Sequence, residues 1–309
     1  MALRDLTHRY LYGKPGRRDF TQADLPGNRV QLFRHVLGIR LGKMVWMNLL
    51  CLLIWLPAIA WTSLIVLNLG GLPLIALNES GLQMLPAQEL QATVQRLVYT
   101  WLLILWPLVA IAGPFNAGVS DVFQRWARDE SLFPLATFRA ALKANWKQGL
   151  LFGIVDGLIP LLVYVSARFY WELSAQSGIF LIPVVALLIL FLLWILAAPL
   201  APQLIVGYEL RFGGVLKNAL LMTIVSLPRS IAIRVGTLAI PILLLLGVYF
   251  FQRGAIVLLL IGSLLYAAIL FSFNKLIWAS YANALGEKYL NTRIPGAPTN
   301  IGLRPDTEE

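Results

Sequence analysis

IFLIPVVALLILFLLWILAAPLA, from Ile179 to Ala201, contains no charged residue, no hydroxyl and no amide side chain. A helix of about 20 such residues crosses the hydrocarbon core of a bilayer. Five further apolar runs flank it. They begin at Met44 (MVWMNLLCLLIWLPAIAWTSLIVLNL), Leu97 (LVYTWLLILWPLVAIAGPF), Gly149 (GLLFGIVDGLIPLLVYVSA), Ile231 (IAIRVGTLAIPILLLLGVYFF) and Ala255 (AIVLLLIGSLLYAAILFSFNKLIWA). A soluble helix keeps a charged face, and these runs are apolar all round. Of the 309 residues, 59% are hydrophobic and only 13% are charged, as befits a chain dissolved in lipid. Backbone groups in lipid find partners only within a helix or a closed barrel. The reading is an all-α polytopic membrane protein with about six transmembrane helices and interfacial elbow helices between some of them.

The charge distribution predicts a direction. One set of connecting segments carries Arg29, Arg34, Arg40, Lys43, Arg125, Arg128, Arg139, Lys143, Lys147, Arg211, Lys217, Arg229, Arg234, Lys275, Lys288, Arg293 and Arg304. Arg4, Arg9, Lys14, Arg17 and Arg18 belong with them. The opposite side carries Arg96, Arg168 and Arg253. The positive-inside rule places the rich side, and both termini, in the cytoplasm. Residues 1–43 then form a basic cytoplasmic or interfacial segment, 44–282 the transmembrane domain, and 283–309 a cytoplasmic tail. The formal net charge of +10 suits anionic lipid headgroups. No aromatic-basic cluster points to nucleic acid.

Chemistry is sparse. Cys51 is the one cysteine, so neither a disulfide nor a thiol pair is expected. His8 and His35 both precede the first run, and no metal site is expected from them. No Gly-rich phosphate loop, His-Glu-x-x-His or catalytic triad pattern occurs. The chain reads as non-enzymatic and needs no cofactor. Asp156 is the one acidic residue well inside a run, and a charge there suggests a function by default. It suits a proton relay or cation site, or a protonated carboxyl bonded to a neighbouring helix. Arg234 and Lys275 read as too close to the ends of their spans to be its partners.

The connecting segments hold the other candidates. From Asn28, NRVQLFRHVLGIRLGKM fits a helix on the membrane surface and fits equally an extension of the first span. Between the second and third runs, Phe123 and Trp126 share a short helix, and Pro134 opens a second. On that second helix Arg139, Lys143 and Lys147 form a stripe at i, i+4, i+8. With Phe138 and Trp146 it reads either as a docking elbow for a cytoplasmic partner or as a headgroup-facing helix. A second elbow, GYELRFGGVLKNALLMTIVSLPRS, offers Lys217 and Asn218 and loosely repeats the first, with Leu142-Lys143-Ala144-Asn145 against Leu216-Lys217-Asn218. Neither elbow has the Glu-Ala-Ala to Asp-Gly pattern of a permease coupling loop.

Three stretches carry a family resemblance: Asn48-Leu49-Leu50 with Leu56-Pro57; Gly113-Pro114, Gly118, Phe138, Lys143 and Asn145-Trp146-Lys147-Gln148; and Leu216 to Leu221 with Leu227-Pro228-Arg229. In order and spacing they resemble the YesL-like family of bacterial integral membrane proteins. That family occurs beside carbohydrate importers of the ATP-binding-cassette type and beside sensor kinases. The resemblance implies a multi-pass protein of the bacterial cytoplasmic membrane, acting as an accessory that couples or stabilises a carbohydrate importer through the importer's subunits. It supplies no catalytic residue. The alternatives are an autonomous small-solute transporter in which Asp156 binds a coupling ion, and a membrane partner of a sensor kinase that regulates polysaccharide use.

Overall fold

The structure, a computed structural model, describes residues 25–75, 86–250 and 254–304. His8 and the basic residues up to Arg18, part of the loop between the first two spans, Arg253 and the last five residues lie outside the described residues. Within them the chain is all-α, with no strand. The helices are α1 (Arg29–Ile75), α2 (Ala87–Trp126), α3 (Pro134–Leu173), α4 (Leu181–Ala197), α5 (Ala201–Gly207), α6 (Phe212–Val225), α7 (Leu227–Phe250), α8 (Ala255–Leu265) and α9 (Phe271–Tyr289). A 3-10 turn, Ala198–Leu200, joins α4 to α5, and a π-helical segment, Tyr266–Leu270, joins α8 to α9. Six helical stretches are long and apolar enough to cross a membrane: Arg29–Leu69, Gln88–Trp126, Pro134–Leu173, Gly178–Gly207, Leu227–Leu244 and Leu260–Arg293. This is a polytopic membrane protein. Its outward faces are apolar, with Ile182 68% and Leu190 62% exposed on α4, the inverse of a water-soluble helix.

The first spans are much longer than a bilayer is thick. At 1.5 Å per residue the 47-residue α1 measures about 70 Å, and the 40-residue α2 and α3 about 60 Å each. On α1 and α3 most of the excess lies at the end that carries the basic segments. The open choice at Asn28 is thereby settled as an extension of the span. Asn28 caps α1, its Oδ1 accepting from Gln31 N at 2.9 Å. The first elbow is likewise no separate interfacial helix: α3 starts at Pro134 and runs unbroken to Leu173. Proline suits that first turn because its missing N–H would be unpaired there anyway. The second elbow does form its own helix, α6, which ends at Val225 with Ser226 as its cap.

Small residues set the closest contact. Gly149, Gly153 and Gly157 line one edge of α3 at four-residue spacing, against Gly113-Pro114, Ala110 and Trp106 of α2. A Cβ on Gly153 would lie 2.7 Å from the Ala110 carbonyl oxygen, and one on Gly157 would lie 2.8 Å from that of Trp106. Backbone approach of this kind replaces the hydrophobic force that lipid removes between membrane helices.

Two buried clusters make up the core, and α9 belongs to both. Leu276 and Ala279 pack with Leu32, Val36, Met44, Phe123 and Trp126 of α1 and α2. Trp278, Ala282 and Leu285 pack with Leu200, Leu204, Val215 and Met222 of the second half. The helix continues past Ala282 to Tyr289, with Asn283 and Glu287 buried. The chain then folds back at the basic end. Glu287 ion-pairs with Arg29 and accepts from Asn300 N at 2.8 Å, and Arg304 N donates to the Pro26 carbonyl at 2.9 Å. Gly302, at φ +77°, turns where a Cβ would meet the Arg128 carbonyl. Both described ends of the chain therefore meet at one end of the bundle.

Candidate functional site

A cavity of about 450 Å³ lies among the helices. Three charged residues from three different spans line it: Asp156 of α3, Arg234 of α7 and Lys275 of α9. Arg234 and Lys275, read as too close to the ends of their spans to partner Asp156, nevertheless line the same cavity. Each residue is the only charge in its apolar run, a pattern visible in the sequence. Lys275 lies near the end of its hydropathy run but not near the end of its helix. The helix runs fourteen residues further, to Tyr289, about 21 Å of additional rise.

Each charge is held separately. Trp194 of α4 donates its Nε1–H to Asp156 Oδ1 at 3.0 Å. Lys275 donates to Asn116 Oδ1 of α2. The Arg234 guanidinium sits 5.9 Å from the centroid of the Trp278 ring, within cation–π range. Both cations share the cavity wall with Asp156, but among the described residues no ion pair joins either of them to it. Arg234 Nε and Gln203 Oε1 are buried without hydrogen-bond partners. Buried polar atoms are ordinarily satisfied, so unpaired ones at a cavity wall favour a polar ligand there. Two cations against one carboxylate leave the cavity with a positive excess that favours an anionic group.

The π-helical segment carries α9 into this arrangement, and Asn48 supports it. Asn48 is fully buried on α1. Its Nδ2 donates to the carbonyls of Tyr266 at 2.7 Å and Ala267 at 2.8 Å, while its Oδ1 accepts from Ser272 N at 2.9 Å. Ser272 Oγ donates in turn to the Met44 carbonyl at 2.9 Å. A π-bulge leaves the i−4 ladder unsatisfied locally, and such bulges concentrate at functional sites. Asn48 supplies the missing partners three residues before Lys275 enters the wall.

The elbow candidates separate into two groups. Arg139, Lys143, Trp146 and Lys147 are exposed on the basic end of α3, with Lys147 Nζ 5.7 Å from the Trp146 ring centroid. Lys217 is exposed on α6. Phe138, by contrast, is buried, its ring filling the space beside Gly118. Asn218 turns back on its own helix, donating to the Gly214 carbonyl at 2.8 Å. Gln148 Nε2 donates to the Leu210 carbonyl at 2.9 Å, which ties α3 to the turn before α6. In that turn Tyr208 donates to Asn291 Oδ1 at 2.7 Å; burial pushes its hydroxyl pKa up, so it remains a donor at neutral pH.

Among the described residues no group of three or more His, Cys, Asp and Glu could hold a metal ion. No protein-family model, curated protein or solved structure matches this chain.

Proposed function

We propose that the protein is a transporter-type carrier that binds, within the membrane, a ligand bearing an anionic group. One observation carries this reading: Asp156, Arg234 and Lys275, from three spans, face one cavity with an excess of positive charge. A charge inside a bilayer is costly, and three converging on one space are costlier still unless they serve a ligand. The cations bind the anionic group. Asp156, held by Trp194, orients the site and disfavours ligands with more negative charge. The test is the thermal stability of the purified protein in nanodiscs against a panel of carboxylates, phosphates and neutral sugars. A ligand that binds only the folded state raises the melting temperature with concentration. Anions are expected to stabilise the wild type and not Lys275→Gln. Equal stabilisation by neutral sugars would refute the anion site.

The accessory reading has its own support. The exposed stripe of Arg139, Lys143 and Lys147 beside Trp146, together with the YesL-like resemblance, fits a subunit docked on a carbohydrate importer at the cytoplasmic face of a bacterial membrane. Co-purification of importer subunits, lost when the three basic residues are replaced by Glu, would favour that role; a co-purifying sensor kinase would favour regulation instead.

A further inference from the structure

The cavity does not stand alone. Two of its wall residues, Tyr266 and Phe271, also line a second cavity of about 480 Å³. The second is walled by Leu52 and Ile59 of α1, Pro241 and Leu244 of α7, and Gly262 and Ser263 of α8. Except for Ser263 and the Tyr266 hydroxyl, these side chains offer only hydrocarbon. Ile59 and Ser263 are exposed at its rim, and Leu260, Ile261 and Leu264 beside it are exposed apolar residues. In a chain that spans a membrane, such a flank faces lipid. A charged chamber and an apolar groove therefore share a wall, and the groove faces the bilayer.

We infer that the ligand of the charged cavity is an anionic amphiphile that enters from the bilayer: its head lies between Arg234 and Lys275 and its hydrocarbon chain lies in the groove between α1, α7 and α8. This rests on the anion-binding reading and specifies its ligand. Charge complementarity selects the head, since a neutral head would leave two cations without a counter-ion beyond Asp156. The apolar walls select the chain, because transfer of methylenes from water to such a groove is favourable while a sugar or nucleotide would lose its hydrogen bonds there. Tyr266 sits at the junction. It belongs to the π-helical segment whose carbonyls Asn48 holds, so the wall that the two chambers share includes non-α backbone.

The probe is stearate carrying a mid-chain diazirine, photolysed with the whole protein in nanodiscs of neutral lipid and mapped by peptide mass spectrometry. Its neutral counterpart is the same chain ending in an alcohol. Acetate is the head without the chain. The expected result is labelling of the peptides that contain Leu52–Ile59 and Pro241–Ser263, strong for the acid and weak for the alcohol. Lys275→Gln should reduce acid labelling about tenfold and leave alcohol labelling unchanged, as loss of a charge-assisted contact requires. Ser263→Phe and Ile59→Trp fill the groove from opposite walls, and each should weaken stearate about tenfold, the worth of roughly two displaced methylenes. Agreement between these two variants excludes misfolding of one as the cause. Equal labelling by acid and alcohol, or labelling indifferent to Lys275→Gln, would overturn the inference and leave the groove as ordinary lipid-facing surface. Acetate competing as well as unlabelled stearate would also overturn it, while keeping the anion site. If no anion of any kind bound, the anion-binding reading would fall as well.

Discussion

Asp156 and Lys275 make opposite predictions within one cavity. Asp156→Asn keeps the oxygen that accepts from Trp194 and removes a negative charge beside the two cations. Affinity for an anionic ligand should therefore rise, by about threefold to tenfold, for roughly 1 kcal/mol of relieved repulsion. Lys275→Gln should lower it. Titration of both variants by melting temperature checks the pair, and a loss of affinity in Asp156→Asn would contradict the assigned polarity. Asn48 makes a different prediction. Asn48→Leu removes the side-chain hydrogen bonds to two carbonyls of the π-helical segment and to the Ser272 N–H of α9, at a cost of about 3 kcal/mol or more. It should lower the melting temperature and also abolish anion-dependent stabilisation, whereas a purely structural role would leave the latter intact. Asp156 was legible as a buried charge from its run alone. Its relation to Arg234 and Lys275 was not, because hydropathy marks where a run stops being apolar and not where its helix ends.

Among the elements, the α2–α3 pair sets the frame. Gly153→Val would push a side chain into the Ala110 carbonyl and force the helices apart. Overpacking of this kind costs about 1–3 kcal/mol, and separation would shift Asp156 relative to α7 and α9. A fall in melting temperature with loss of anion response is expected; a stable, fully responsive Gly153→Val protein would show that the glycine edge does not position the site. Sequence reading located the spans well, because uniform apolar composition over about 20 residues has few other solutions. It divided α3 into an elbow and a span because Pro134 and the basic stripe resemble a surface helix. Only the packing of Phe138 beside Gly118 reveals that the basic segment is buried on one side and continuous with the span. The glycine spacing itself was present in the sequence and carried the signal for close packing.

At the scale of the whole molecule, the two described ends meet through Arg29 and Glu287, at the end of the bundle that carries the basic segments. By the positive-inside rule, the excess of positive charge there is the ground for proposing that this end faces the cytoplasm. Cysteine labelling tests this: a cysteine in place of exposed Thr299 should resist membrane-impermeant reagent in intact cells, and one in place of exposed Gln176, in the turn after α3, should react. The native Cys51 is buried and gives little background. Reaction at position 299 from outside would reverse the orientation. The central claim concerns the interior: a chamber where charges from three spans wait for an anionic group. Its most direct test is an experimental structure of the protein in lipid nanodiscs with stearate present. The account predicts density for a carboxylate within hydrogen-bonding distance of both Arg234 and Lys275, with Asp156 still bonded to Trp194. A collapsed cavity in which Asp156 pairs directly with Arg234 or Lys275, and no ligand density, would contradict it.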